Sequence, residues 1–329
     1  MDRADAGSRR GGLSRAGRSI DPGGQYPVTP IAEQLRARHS ELLAHCRFPL
    51  QGTALVCGVS GGADSVALLV LAVAAGCEVT AVHVDHGLRV GSAQEADLVA
   101  RAAAALGASF RAERVDVGAG PNLEARARAA RLAVLGPEAA LGHTADDRAE
   151  TILINMIRGA GLDGLAGIRP GPRHPILGLR RSDTEAVCAI EGFEPFQDPS
   201  NRDPAFLRNR VRGELLPLLR DLADRDAVPL LVRQGDLFAD VSDHLRAEAL
   251  LLDVTDARAL SAAPVVVARV AVREWLRAGM TEHHPPDAAT IERVLAVARN
   301  DVLATDIGGG RRVERTAGRL RLVGSVPNA

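Results

Sequence analysis

The stretch TALVCGVSGGADSVALLVLAV, residues 53–73, decides how the rest of the chain is read. Its first part, ALVCGV over 54–59, is short, continuously apolar and bounded by glycine, as a strand buried on both faces of a parallel sheet is. The run stops at Ser60-Gly61-Gly62-Ala63-Asp64-Ser65, and DSVALLVLAVAA (64–75) is then apolar nearly all round, which predicts a buried helix. A strand that ends in such a turn and feeds a helix presents backbone N–H groups at a helix N-terminus. The helix dipole and those orphan donors favour an anion there, and glycine lets a phosphate approach. Ser60 and Ser65 add hydroxyl donors. Asp64 would repel a bare phosphate unless a Mg²⁺ ion lay between them, so the combination predicts a nucleotide–Mg²⁺ complex. An ordinary turn would instead spend Asp64 on capping the helix.

Strand and helix patterns alternate on either side of this turn. Strands are expected at VTAVHVDH (79–86), FRAERVDV (110–117) and AALGHTA (139–145), with helices over 92–106, 122–135 and 146–158. The alternation predicts an α/β fold: a doubly wound parallel sheet with right-handed crossovers and a ligand at the C-terminal strand ends. Residues 159–181 read as loop, and another αβ unit with an arginine-rich segment reaches about 220. Beyond it, 228–300 reads as amphipathic helices, followed by a hairpin at 305–324. The expected division is a disordered leader over 1–30, a nucleotide-binding α/β domain over 31–224 and a smaller, mainly helical C-terminal domain over 225–329.

Composition removes whole classes of chemistry. The 329-residue chain is 46% apolar and 25% charged with a net charge of −1, as in a soluble globular protein. It contains no lysine, so all 40 basic residues are arginine. That excludes a Walker A loop, a pyridoxal-phosphate Schiff base and ligases that adenylate their own lysine. Cys46, Cys57, Cys77 and Cys188 are scattered without a CxxC pair, which argues for free thiols in a reducing cytoplasm rather than a zinc ribbon or a disulfide framework. No apolar run is long enough to span a bilayer, and the leader lacks the apolar core of a signal peptide. A cytoplasmic protein with no membrane association and no stable protein partner is expected.

Further motifs narrow the chemistry. HVDHGLR (83–89) follows the second strand, where His83 and His86 suit local hydrogen bonding better than metal binding. NLEARARAARL (122–132) sets Glu124, Arg128 and Arg131 on adjacent helix faces, a spacing that a solvated helix also shows. LGHTADDRAETILINMIRGAG (141–161) ends a strand at Gly142-His143 and opens a helix with Asp146, Asp147 and Glu150. Asp147 and Glu150 are i,i+3 neighbours that share a face. The dipole explains part of this clustering, and the same carboxylates suit a cationic amine or a second metal position.

Together with DPSNRDPAFLRNRVRGELLP (198–217), the order and spacing of these motifs resemble the tRNA(Ile)-lysidine synthetase family of the PP-loop, or N-type ATP pyrophosphatase, superfamily over about residues 50–220. The resemblance implies adenylation of the wobble cytidine of a CAU-anticodon isoleucine tRNA at its 2-carbonyl oxygen. The ε-amine of free L-lysine then attacks, giving lysidine and AMP after pyrophosphate has left. It implies that Ser60, Gly61, Gly62, Ala63, Asp64 and Ser65 bind ATP, with Asp64 on Mg²⁺. Arg128, His143, Asp147, Glu150 and an arginine of FLRNRVR, Arg208 first and Arg212 next, would line the reaction centre. Arginine offsets phosphate charge, His143 can do the same or shuttle a proton, and Asp147 or Glu150 can attract the lysine ammonium and take its proton.

Two arginine-rich stretches suit an RNA backbone: Arg158, Arg169, Arg173, Arg180 and Arg181, then Arg202, Arg208, Arg210, Arg212 and Arg220. Phe193, Phe196 and Phe206 lie between them, and core packing is a better use for them than stacking on a flipped base. The competing readings are a sulfur-inserting tRNA enzyme, which commonly needs paired cysteines, a small-molecule adenylating synthetase, which has no need of FLRNRVR, and a non-catalytic binding scaffold, which has no need of three convergent carboxylates.

Overall fold

A computed structural model describes residues 39–85, 92–116, 118, 123–196, 203–279 and 286–324. Strand β1 (Ala54–Gly58), helix α1 (Ala63–Ala74), β2 (Glu78–Asp85), α2 (Ser92–Ala105), β3 (Ser109–Arg114), α3 (Leu123–Leu135) and β4 (Ala140–Leu141) build a parallel sheet in the order β3-β2-β1-β4. The chain moves from β1 to β2 and β3, then returns to place β4 on the far side of β1. The order reverses between β1 and β4, and a ligand crevice belongs at such a switch point. The glycine turn and the residues after β4 both leave the sheet there.

Alternation along the strands supplies a core on each face. Leu55, Cys57, Val79 and Ala81 face the cluster that contains α1, while Val56, Val82 and Val84 pack with Leu132 and Leu135 of α3 on the other. The sheet is therefore doubly wound, as the sequence predicts. Helix α1 is buried from Ser65 to Ala72, because it is covered on its far side by a later helix.

That helix is α6 (Arg181–Ile190), which follows α4 (Ala145–Ile157) and the short α5 (Leu162–Leu165). Next, α7 (Leu207–Arg210) passes through a π-helical turn, Val211–Leu215, into α8 (Leu216–Ala223). Four helices follow: α9 (Val228–Leu250), α10 (Ala257–Ala262), α11 (Val265–Gly279) and α12 (Ala288–Arg299). A second core of Leu260, Val272, Leu276, Ile291, Val294 and Leu295 lies among the last three and includes Ile307, Val313 and Leu320 of a small antiparallel sheet. Its strands are β5 (Ala304–Gly308), β6 (Arg311–Thr316) and β7 (Arg319–Val323), in that order. Helix α9 touches both regions, packing on α4 and α5 as well as on α11. Buried Arg148 fastens it, bonding Asp236 at 2.7 Å and the carbonyl of Ala166.

Three expectations change. The hairpin at 305–324 is a three-stranded meander, because two separate turns with positive φ, Gly308–Gly310 and Ala317-Gly318, each reverse the chain. The αβ unit after residue 180 supplies α6, but the described residues between α6 and α7 hold no strand. The Phe196 N–H bonds the Gly61 carbonyl at 2.9 Å instead of a sheet neighbour. The strand expected at 139–145 keeps only two sheet residues, because Gly142 leaves to pass against α1. The leader, residues 86–89 of HVDHGLR with His86, the Glu124 side chain and Arg202 lie outside the described residues, whereas His83 lies inside β2 with Nδ1 3.0 Å from the Val59 carbonyl. All four cysteines are free thiols, as expected.

Candidate active site

The glycine turn is held by its own hydroxyls. Ser65 Oγ accepts the Ser60 N–H at 3.1 Å, donates to the Gly62 carbonyl at 2.8 Å and lies 3.2 Å from Ser60 Oγ. Gly61 has φ +90°, a conformation that favours glycine, and packs toward Phe196 and Leu98. On Gly62 an added Cβ would meet only Ser60 Oγ, at 3.8 Å, so there is open space beside the turn at this residue. Gly62 is the N-cap of α1 and no side chain caps it. Asp64 is therefore not spent on capping. Its carboxylate accepts the Thr184 hydroxyl and lies 3.6 Å from Arg181 Nε. Burial, then the charge of Asp147, pushes its pKa up against the pull of Thr184, Arg181 and Arg212, and the net shift is upward.

Helix α4 begins with a capping box. Asp147 Oδ2 accepts the Thr144 N–H at 2.8 Å and the Thr144 hydroxyl at 3.1 Å. Its other oxygen meets Arg208 Nη2 at 3.0 Å and Arg181 Nη2 at 3.3 Å. One turn further on, Glu150 is wholly buried and both its oxygens are engaged. Arg212 Nε and Arg208 Nε each approach to 2.7 Å, and Arg181 Nη1 to 3.3 Å. Asp146 points elsewhere: Arg180 grips it with two bonds of 3.0 Å and also pairs with Asp226 ahead of α9. Gly142 makes the juxtaposition of α1 and α4 possible. A Cβ there would lie 2.7 Å from the Asp64 carbonyl oxygen, a backbone atom that cannot step aside.

Beside this knot, His143 Nδ1 lies 3.0 Å from His174 Nδ1. Burial first, then His174 and the charges of Arg128, Arg208 and Arg131, holds the His143 pKa down at about 3. Arg128, itself exposed on α3, thus flanks the histidine pair.

A protein-family model described as PP-loop domain matches residues 31–219. The chain is 42% identical over 247 residues to the tRNA(Ile)-lysidine synthase of Nocardia farcinica, covering 70% of this chain and 77% of that one. It is 40% identical to the Rhodococcus erythropolis protein of the same name, covering 68% and 74%, and 37% identical to that of Cutibacterium acnes, covering 81% and 90%. This chain belongs to the tRNA(Ile)-lysidine synthase family.

In this lysidine synthase relative, the fold gathers Asp64, Asp147, Glu150, Arg208 and Arg212 into one cluster, with His143 and Arg128 on its flank. Sequence reading missed three members. Arg181 touches all three carboxylates, Thr184 bonds Asp64, and His174 pairs with His143. Arg181 had been read as a backbone-tracking arginine, yet it carried a signal. It is the first residue of α6, where the helix dipole disfavours a cation, so some stronger partner had to hold it. The basic stretches are similarly engaged within the molecule. Arg169 pairs with Asp163 and Asp243, Arg210 with Glu214, and Arg173 donates to the Pro137 carbonyl, while Arg158 and Arg220 are exposed. Phe193 joins the main core, and Phe206 is exposed. Burial pushes the Cys57 and Cys188 thiols up to about 12, which makes them poor nucleophiles and disfavours sulfur transfer through this chain's own cysteines.

Proposed function

We propose that this chain ligates free L-lysine to the wobble cytidine of a CAU-anticodon isoleucine tRNA, using ATP to adenylate the base first. The observation that carries the reading is the meeting of an open phosphate turn, Asp64, and the buried Asp147–Glu150 pair with mobile-length arginines between them. ATP suits Ser60–Ser65 because Gly62 begins α1 with no side-chain cap and leaves open space beside the turn. Mg²⁺ suits Asp64, because this ion is usually held by one or two carboxylates together with substrate phosphates, so one carboxylate that is not used for capping is enough. The described residues hold no cluster of three metal-ligating side chains, in keeping with that arrangement. When bound, Mg²⁺ would offset the charge on the phosphate oxygens.

The chain's own residues then divide the work by charge. Arg208 and Arg212 reach the carboxylates from the segment around the π-helical turn, and π-turns recur at functional sites. A triphosphate attracts both guanidiniums, and their departure exposes Asp147 and Glu150 to a lysine ammonium. That ammonium, with a reference pKa of about 10.4, must lose a proton before its nitrogen attacks C2 and AMP leaves with the 2-oxygen. Glu150 is the better acceptor. Asp147 keeps one oxygen on the Thr144 backbone, whereas Glu150 is held by side chains that can leave.

Residues 225–329, with a boundary at 224/225, would supply a second tRNA-contacting surface. No described helix is long and apolar enough to cross a membrane. The test uses purified protein, Mg-ATP, radiolabelled lysine and transcripts bearing CAU or a wobble uridine. Label entering only the CAU transcript, and lost with Asp64→Ala, is expected. Pyrophosphate release without lysine incorporation would give the nucleophile to another compound and sink the reading.

A further inference from the structure

His143 and His174 meet edge-on, with ring centroids 4.7 Å apart and planes at 71°. A 3.0 Å contact between two Nδ1 atoms needs a single proton between them. One ring must be the Nδ1–H tautomer, and the other must offer a bare Nδ1 and carry its own proton on Nε2. The loop that carries His174 is held in place by its backbone. The Leu141 N–H bonds the Arg173 carbonyl at 2.8 Å, the Arg47 N–H bonds the Pro175 carbonyl at 2.8 Å, and the His174 N–H bonds the Gly171 carbonyl at 2.9 Å. The loop is thereby fastened to β4 two residues before His143.

The charges around the pair are mostly positive. Arg128 and Arg131 of α3 and Arg208 of α7 bear on His143, Arg128 and Arg173 bear on His174, and Asp147 of α4 opposes them at His174. Burial and these cations hold both rings neutral at ordinary pH, at about 3 for His143 and about 4 for His174. A ring held neutral is better suited to donating a hydrogen bond than to storing a second proton. Within a shell of guanidiniums the incoming group is an anion, and an anion needs a donor.

We propose that His174 is a positioning residue that donates its Nδ1 proton to His143 and fixes His143 as the neutral tautomer with its proton on Nε2, ready to donate to a phosphate oxygen. The phosphate rests on the lysidine-forming reading; the tautomer does not.

Nitrogen NMR of protein with ¹⁵N-labelled histidine reads the tautomer directly, since protonated and bare ring nitrogens resonate far apart. Wild-type protein is expected to show His143 protonated on Nε2, unchanged between about pH 5 and 8. His174→Asn keeps an N–H donor at the same place and should preserve both the tautomer and most of the turnover. His174→Ala should lower kcat about tenfold, the worth of one ordinary hydrogen bond, with little change in the KM for lysine. His174→Asp offers an acceptor instead, so it should move the His143 proton to Nδ1, raise its pKa and introduce an acid limb into the kcat profile. A wild-type His143 protonated on Nδ1, or equal turnover in the Asn and Asp variants with identical pH profiles, would overturn the inference. A wild-type protein that makes no lysidine would sink the reading of function instead, while the spectrum would still report the tautomer.

Discussion

Two networks in this molecule have the same composition and opposite uses. The inner one joins Asp64, Asp147 and Glu150 to Arg181, Arg208 and Arg212. The outer one joins Asp163, Asp243 and Glu274 to Arg169, Arg246 and Arg277 at 2.9–3.9 Å. Each has two aspartates, a glutamate and three arginines. What separates them is water: Glu150 has 0% side-chain exposure and Asp243 has 59%. In the outer network solvent screens every charge, and the pairs merely tie α5, α9 and α11 together. In the inner network the acids are 0–25% exposed, so water answers less well for a missing arginine there. The acids show the contrast. Burial works to raise Asp163, but Arg246, Arg169 and Arg277 carry it below the usual carboxylate range, whereas burial wins at Asp64.

Substitution of matched partners breaks or sharpens this contrast. The largest effect is expected from Glu150→Gln, which removes the wholly buried anion from three half-buried guanidiniums, leaves Arg208 and Arg212 with Asp147, and should cost about 2–3 kcal/mol of stability in urea unfolding. Asp243→Asn should cost less than about 1 kcal/mol. Equal losses would mean that burial does not distinguish the networks. Next, Arg181→Gln should lower lysine incorporation about a hundredfold, the loss of roughly 2.7 kcal/mol of positioning and charge, while Arg169→Gln stays within about twofold of wild type. A normal rate for Arg181→Gln would remove that residue from the site.

The smallest effect concerns acid. Because the folded-state pKa of Asp163 lies below its ordinary value of 3.8, its pairing contributes stability above that pH, and the contribution is lost as pH falls through the folded value. Asp163→Asn should therefore be less stable than wild type at neutral pH, and the gap should close in acid. Unfolding curves at a series of pH values would measure it, and a gap that widens in acid would contradict the assignment.

Much of the fold was legible because it is written locally. Strand runs, helix periods and the glycine turn each depend on residues within a few positions of one another, and so does the shared face of Asp147 and Glu150. The family resemblance added the order in which such pieces recur and brought Arg208 and Arg212 into the expected site. What faces those residues is a different kind of information. Asp146 and Asp147 are neighbours with similar side chains, yet one is gripped by Arg180 and the other meets Arg208 and Arg181. The third C-terminal strand likewise depended on two turns acting together.

The sequence by itself determined the wound α/β sheet, the phosphate turn and the acids that stand beside it. Only the tertiary structure decided that Arg181, Thr184 and His174 complete the site. Their partners lie 31 to 120 residues away along the chain, and solvent exclusion, which no local pattern records, turns those contacts into chemistry.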